Sequence, residues 1–341
     1  MDSAVADRSC LWRLGAFELY TPWIMAPVAG YTNWAFQVLC RRSGLLQLSF
    51  TPMICAQALA FLSSRSATLK LLDWDDSCGP IAVQLFGDSP EYMAAAARAV
   101  TERGAAVIDI NMGCTVPKIV KKGAGAAMLR HPDTACRVVE AVRSAVSVPI
   151  TAKMRLGWRC GDGLGLALAR RLQDLGVSAF FVHGRYAEQA FAGAVDYEAA
   201  AKWRNSLRVP VIGNGDVLDG FSAVRWQSEH QPMVMLGRGL LGDPWLLERL
   251  EAYRLGRPIP EHPSLARIVD KIAEHWALAK LYSKLTEVQT VQEFRSHLAQ
   301  YCRKHRRLLP WRERLLAQRD FAGLEGCLAM IASPRIWDVV L

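Results

Sequence analysis

Short apolar runs, many of them β-branched, alternate with amphipathic stretches along the first three quarters of the chain. Eight runs read as strands: 23–29 (WIMAPVA), 46–53, 80–86 (PIAVQLF), 105–113 (AAVIDINMG), 149–157 (PITAKMRLG), 179–185 (AFFVHGR), 209–216 (VPVIGNGD) and 232–239. Between them lie helical patterns such as PEYMAAAARAVTERG, which ends in Gly104, and PDTACRVVEAVRSAV, which starts at Pro132. Proline in the first turn and glycine just past the last are helix boundary signals. Eight strand-then-helix units over about 230 residues match a (β/α)8 TIM barrel, a fold that gathers its chemistry at the C-terminal ends of the strands. An open doubly wound sheet is the alternative.

The pattern changes after Gly256. GRPIPEHPS is a proline-rich linker, and residues 264–341 keep helical spacing without strand candidates. The expected division is a barrel over 1–256 and a small all-helical domain over 257–341.

Composition narrows the class. Apolar residues make up 51% and charged residues 21% of 341 residues, a balance ordinary for a globular enzyme. No apolar run approaches the ~20 residues that span a bilayer, and MDSAVADRSCLWR has no signal-peptide core, so a cytoplasmic protein is expected. Nine cysteines with no C-x-x-C pair read as reduced thiols, with neither a disulfide framework nor a metal site. The net charge of +9 points to a polyanionic partner. Much of the surplus lies between Arg295 and Arg319, where eight basic residues, Arg303, Lys304, Arg306 and Arg307 among them, face the single acid Glu313.

Polar residues at the strand ends carry the candidate chemistry. Residues two apart share a strand face, so Lys153 and Arg155 point together, as do His183 and Arg185. Paired cations are costly in a barrel interior unless they meet anionic or polar partners, but they can line its mouth. The seventh and eighth strands end in Asn214-Gly215-Asp216 and Gly237-Arg238-Gly239, where glycine-exposed N–H groups and an arginine make an anion cradle at the usual phosphate site of barrels. The fourth strand runs into Cys114, a thiol placed to donate a proton; with no histidine near it in sequence, a Cys-His hydrolase is disfavoured but stays open, since a distant histidine can approach in space. The segment that follows, with Lys118, Lys121, Lys122, Gly123 and Gly125, reads as a mobile, positive loop able to close over a phosphate backbone.

Together these motifs resemble the flavin-dependent dihydrouridine synthases over nearly the whole chain. The matching stretches are APVAGYTNWAF (26–36), PIAVQLFG (80–87), DINMGC with its PKIVKKGAGAAML continuation, TAKMRLGW (151–158), VHGR (182–185), PVIGNGD (210–216) and MLGRGLLGDPW (235–245), and FRSHLAQY (294–301) looks like the basic helix of the family's C-terminal domain. The resemblance implies reduction of the C5–C6 double bond of uridines in tRNA by FMN recharged by NADPH. It implies Cys114 as proton donor to C5, and Pro27, Gln84, Lys153, His183, Asn214, Gly215, Asp216, Gly237 and Arg238 around the cofactor. Asn111, Arg155, Lys118, Lys121, Lys122, Arg303, Lys304, Arg306 and Arg307 would meet the RNA. Thr115 stands where the family usually has proline, and Tyr186-Ala187 where it often has Thr-Arg or Thr-Lys. Two other readings are an RNA-binding homologue without turnover and a flavin barrel acting on a small pyrimidine; ribosomal RNA is an alternative substrate. A monomer is the favoured form.

Overall fold

The computed structural model describes residues 9–60, 71–72 and 74–333. Residues 1–8, within the segment read as lacking a signal peptide, and residues 334–341, the end of the expected helical domain, lie outside the described residues.

A short antiparallel hairpin, β1 (Trp12–Leu14) and β2 (Phe17–Leu19), precedes the barrel. The barrel strands are β3 (Trp23–Met25), β4 (Leu46–Phe50), β6 (Ile81–Phe86), β7 (Val107–Met112), β8 (Ile150–Arg155), β9 (Ala179–His183), β10 (Val211–Asn214) and β11 (Val234–Leu236). All pair in parallel, β11 pairs with β3, and β4 pairs with β6, so the sheet closes as the eight-strand pattern requires. β5 (Ile54–Cys55) extends the run read as 46–53 and adds two residues to the edge of β6.

Strand alternation sorts the side chains. Ile108, Ile110, Ala152, Met154, Phe180 and Val182 pack outward against the helices. Ala82, Val107, Ala179, Phe181, Ile212 and Met235 fill the lower interior, together with Leu14 and Leu19 of the hairpin. The sequence pattern did not predict that hairpin; its strands are three residues each, and what holds them is burial, with Trp12 set edge-on to Phe181 at 6.4 Å. Higher up the same inward faces turn polar, at Gln84, Asp109, Asn111, Thr151, Lys153, His183 and Asn214. That change from apolar to polar layers places the site.

The C-terminal part is helical: Leu265–Tyr282, Glu287–Lys304, Arg312–Ala317 and Phe321–Ala332. Ser264, Thr286 and Asp320 cap three of these helices, each side chain accepting from a backbone N–H. The helices share a core of Ile272, Trp276, Phe294, Leu298, Leu308 and Leu324, which also takes in Trp245 from the barrel side. They lean on the barrel helix Trp34–Arg41, whose Phe36 ring lies 5.5 Å from His275 and 5.3 Å from His297. Gly242, at φ +73°, brings the barrel backbone against Gln300, and His305 Nε2 lies 2.9 Å from the Gly242 carbonyl.

Candidate active site

A cavity of about 520 Å³ opens at the C-terminal ends of the strands. Its wall includes Pro27, Gln84, Asn111, Cys114, Lys153, Arg155, His183, Asn214, Gly215, Asp216, Gly237 and Arg238 from the barrel, and Arg303 and Lys304 from the helical part. Residues from around the whole ring of strand ends thus meet at one space with the end of a C-terminal helix. Lys118, Lys121, Lys122, Arg306 and Arg307 are exposed and do not line it.

Register explains the polar layer. Gln84 pairs with Asp109, Asp109 with Thr151, and Asn111 with Lys153, so the inward side chains stand side by side. Thr151 Oγ1 donates to Asp109 Oδ1 and Gln84 Nε2 to Asp109 Oδ2, both at 2.6 Å. Asn111 Nδ2 donates to Gln84 Oε1 at 2.8 Å. Asn111 Oδ1 in turn accepts from the backbone N–H of Gly113 at 3.1 Å and of Cys114 at 2.9 Å. Across the barrel, Lys153 Nζ donates to Asn214 Oδ1 at 2.9 Å, and Asn214 Nδ2 to the Met235 carbonyl at 2.8 Å.

Burial sets the protonation states. It raises the Asp109 carboxyl to about 6, although hydrogen bonds from Gln84 and Thr151 and the charge of Lys153 pull the other way. Lys153 falls to about 8, through burial first and the Arg155 charge second, with Asp109 opposing. His183 is pushed far down by burial and by Lys153, Arg155, Arg185 and Arg238, and is neutral at physiological pH. The Cys114 thiol is raised by burial, partly offset by a Val116 backbone N–H and the Arg155 charge, so it stays protonated.

Arg155, expected at the substrate, uses its guanidinium on the loop after β9. Nη1 donates to the carbonyls of Tyr186 at 3.1 Å and Ala190 at 2.5 Å. Arg185 and Arg238 both pair with the Asp216 carboxylate, the latter at 2.9 Å. Burial would raise that carboxyl, but the two arginines outweigh it and hold it below its ordinary value. Asp216 itself has φ +48° after Gly215 at φ +123°, a strained turn fixed by Trp226 Nε1 donating to the Gly215 carbonyl at 2.8 Å. Gly237 and Arg238 both line the cavity, and a Cβ placed on Gly237 would make only ordinary contacts, with Ala26 at 3.7 Å and Val28 at 3.8 Å.

The segment read as a mobile loop is structured. Pro117–Val120 forms one helical turn and Gly125–Arg130 a 3-10 helix, with Gly125, Ala126, Ala127, Met128 and Leu129 buried and the three lysines outside. Two residues of the site escaped the sequence reading. Asp109 is two positions before Asn111 on the same face, and that spacing was its signal; Phe191, exposed at the rim with Arg238 at 4.9 Å from its ring, had none. Among the described residues no cluster of three or more His, Cys, Asp or Glu is arranged for a metal ion, and no helix is long and apolar enough to cross a membrane.

Comparison with known proteins bears on the family and the fold. The sequence profile described as "Dihydrouridine synthase (Dus)" matches residues 24–327. The chain is 34% identical over 294 residues to tRNA-dihydrouridine synthase B of Xanthomonas campestris, covering 86% of this chain and 87% of the relative. It is 33% identical over 292 residues to probable tRNA-dihydrouridine synthase 1 of a Synechocystis species, covering 85% and 81%. Among solved structures it is similar to morphinone reductase, with a TM-score of 0.53 at 14% identity over 78% of this chain and 94% of that one. A histamine dehydrogenase from a Rhizobium species gives a TM-score of 0.55 at 14% identity, covering 78% and 50%. Likeness at that identity is one of fold.

Proposed function

The chain belongs to the dihydrouridine synthase family, and from that premise we propose that it reduces the C5–C6 double bond of specific uridines in tRNA, with FMN as cofactor and NADPH as reductant, in the cytoplasm. The observation that carries the reading is that Cys114, Lys153 and Arg238 open on one cavity. A proton donor, a cation and an anion-binding corner thus share a space with the amides of Gln84 and Asn111.

The residues present suit a flavin mononucleotide. The open space beside Gly237 and Arg238 suits a phosphate, and Lys153 and Gln84 offer donors to a heteroaromatic edge. Pro27, His183, Asn214, Gly215 and Asp216 complete the wall. Reduced FMN, when bound, supplies the hydride that adds to C6 of the uracil.

The chain's own residues do the rest. The uridine has to leave its stack to enter the cavity, at a cost of a few kcal/mol. Arg303 and Lys304 at the mouth, with Lys118, Lys121, Lys122, Arg306 and Arg307 outside, offset that cost through phosphate contacts. Asn111 holds the backbone of the donor residue and offers its amide to the base. Cys114 gives its proton to C5 as negative charge develops there, and the thiolate left behind recovers a proton from solvent. The decisive assay is NADPH oxidation by the FMN-loaded protein with unmodified tRNA. Turnover that requires tRNA, and that Cys114→Ala abolishes while keeping flavin and RNA binding, is the expected result; full turnover in that variant removes the proton-donor role.

A further inference from the structure

We infer that Asp109 is a positioning residue of this reaction: as an ionised, acceptor-only carboxylate it sets the direction of the hydrogen-bond chain through Gln84 and Asn111 that ends on the backbone of Cys114, and so fixes where the proton donor stands. The inference rests on the proposed uridine reduction.

Asp109 is fully buried one layer below the cavity and does not line it. An ionised carboxylate can only accept. It therefore draws the Nε2 side of Gln84, at 2.6 Å, and leaves Oε1 turned toward Asn111. Oε1 accepts from Asn111 Nδ2, which leaves Asn111 Oδ1 turned toward the N–H groups of Gly113 and Cys114. The acceptor-only charge at one end and the donor-only N–H groups of Gly113 and Cys114 at the other select the same direction, which is fixed only while both ends hold to it. A second tether holds Gln84 in place, its backbone N–H donating to Thr51 Oγ1 at 3.0 Å. If the carboxylate were an amide or a carboxylic acid, Gln84 could satisfy it either way round. A reversed chain would face an Asn111 NH2 toward the Cys114 N–H, donor against donor, and Cys114 would move.

Lys153 on the adjacent strand is the charged group acting on Asp109, while Gln84 and Thr151 on the flanking strands are neutral. Arg155, further round the rim, acts on Lys153 rather than on the acid, and Lys153 in turn acts on His183, which stays neutral. With the acid titrating at about 6, the chain loses its fixed direction on the acid side of neutrality.

The test compares wild type with Asp109→Asn, both FMN-loaded. Rates are taken per bound flavin and at saturating tRNA, because a turned Gln84 also alters the cofactor edge and a turned Asn111 the contact with the base. The tRNA-dependent reoxidation rate should fall roughly 10- to 100-fold, the loss expected when a reacting group is displaced by an ångström or less. The acidic limb of the wild-type kcat profile should also disappear. Thr151→Val gives a second route that spares the acid: losing one hydrogen bond to the charged form should move the acidic limb to higher pH. A reoxidation rate and pH profile equal to wild type in Asp109→Asn, or an unmoved limb in Thr151→Val, overturns the inference. Failure of the underlying reading looks different, because wild type itself would then show no tRNA-dependent reoxidation.

Discussion

Gly125 lies so close to Cys114 that a Cβ added to it would stand 2.7 Å from the Cys114 carbonyl oxygen and 3.2 Å from the Cys114 Cβ. Its φ of +62° belongs to the left-handed region, and the next residue, Ala126, donates its N–H to the same carbonyl at 2.9 Å. The segment after Cys114 is thus folded back to brace it. Gly125→Ala adds a left-handed penalty of about 1–2 kcal/mol to a backbone clash. It should lower the melting temperature by several degrees and reduce tRNA-dependent turnover well beyond any loss of flavin. Wild-type turnover in this variant would show that the brace has no bearing on Cys114.

A raised thiol is a donor over a wider pH range. Burial lifts Cys114 above its ordinary value, so the basic limb of kcat should lie above pH ~8.5, where a free thiol would already be half ionised. Moving a proton requires the acid form, so activity is retained on the acid side of that limb and lost above it. Lys153, which titrates at about 8, gives kcat a separate fall near that pH, so the thiol is read by direct thiolate absorbance, and a thiolate that forms below pH ~8.5 would contradict a buried, neutral donor.

The barrel and much of this site were legible in the sequence because both follow from strand alternation, a local property. Lys153, Arg155 and His183 do line the cavity, with the Arg185 guanidinium beside His183 but outside the lining, and the two glycine turns do flank it. What could not be read was lateral. The bonds joining Gln84, Asp109 and Thr151 depend on the register of three strands far apart in sequence. Glycine and lysine after Cys114 suggested mobility, yet the same glycines serve close packing once strand β7 is beside them. Arg155 gave no hint that the carbonyls of Tyr186 and Ala190 would claim its guanidinium.

Arg238 is shared between Asp216 and the open space beside Gly237, and Phe191 lies under its guanidinium. Removing the cation leaves a phosphate there facing the Asp216 carboxylate with only Arg185 to neutralise it. Arg238→Ala should therefore lose FMN on dialysis or gel filtration, read as the ratio of flavin absorbance to protein. Arg238→Lys should retain part of it, since a point charge replaces a fork. Unchanged flavin content in Arg238→Ala would place the phosphate elsewhere.

The basic cluster of the helical part divides in two. Arg303 and Lys304 line the cavity, while Arg306 and Arg307 are exposed beyond it. Neutralising the outer pair should mainly flatten the salt dependence of tRNA affinity, by about 0.7–0.9 in the log–log slope for each phosphate that the protein no longer neutralises. Neutralising the inner pair should also lower kcat, because the extruded nucleotide is held less firmly at the mouth. Equal effects of the two pairs, measured as KM, kcat and salt slope, would show that the helical part acts only as a diffuse cation.

Where the helical part meets the barrel, His275 and His297 face each other with ring centroids 4.5 Å apart, against Phe36. His275 Nδ1 is 3.3 Å from the Tyr301 hydroxyl, but His275 Nε2 and both ring nitrogens of His297 are buried without a hydrogen-bond partner among the described residues. Burial holds His297 down to about 4 and His275 well below its ordinary value. Both rings are therefore neutral in the folded protein and take up protons on unfolding below about pH 6.5. Stability is fully present above that value and falls as the pH drops from about 6.5 toward 4, by up to about 1.4 kcal/mol per pH unit for each histidine. The melting temperature should decline steeply between about pH 6.5 and 5, and His297→Phe, which keeps the packing and deletes the titration, should flatten the decline. Parallel melting profiles for the two proteins would mean that this histidine does not govern the docking of the helices on the barrel.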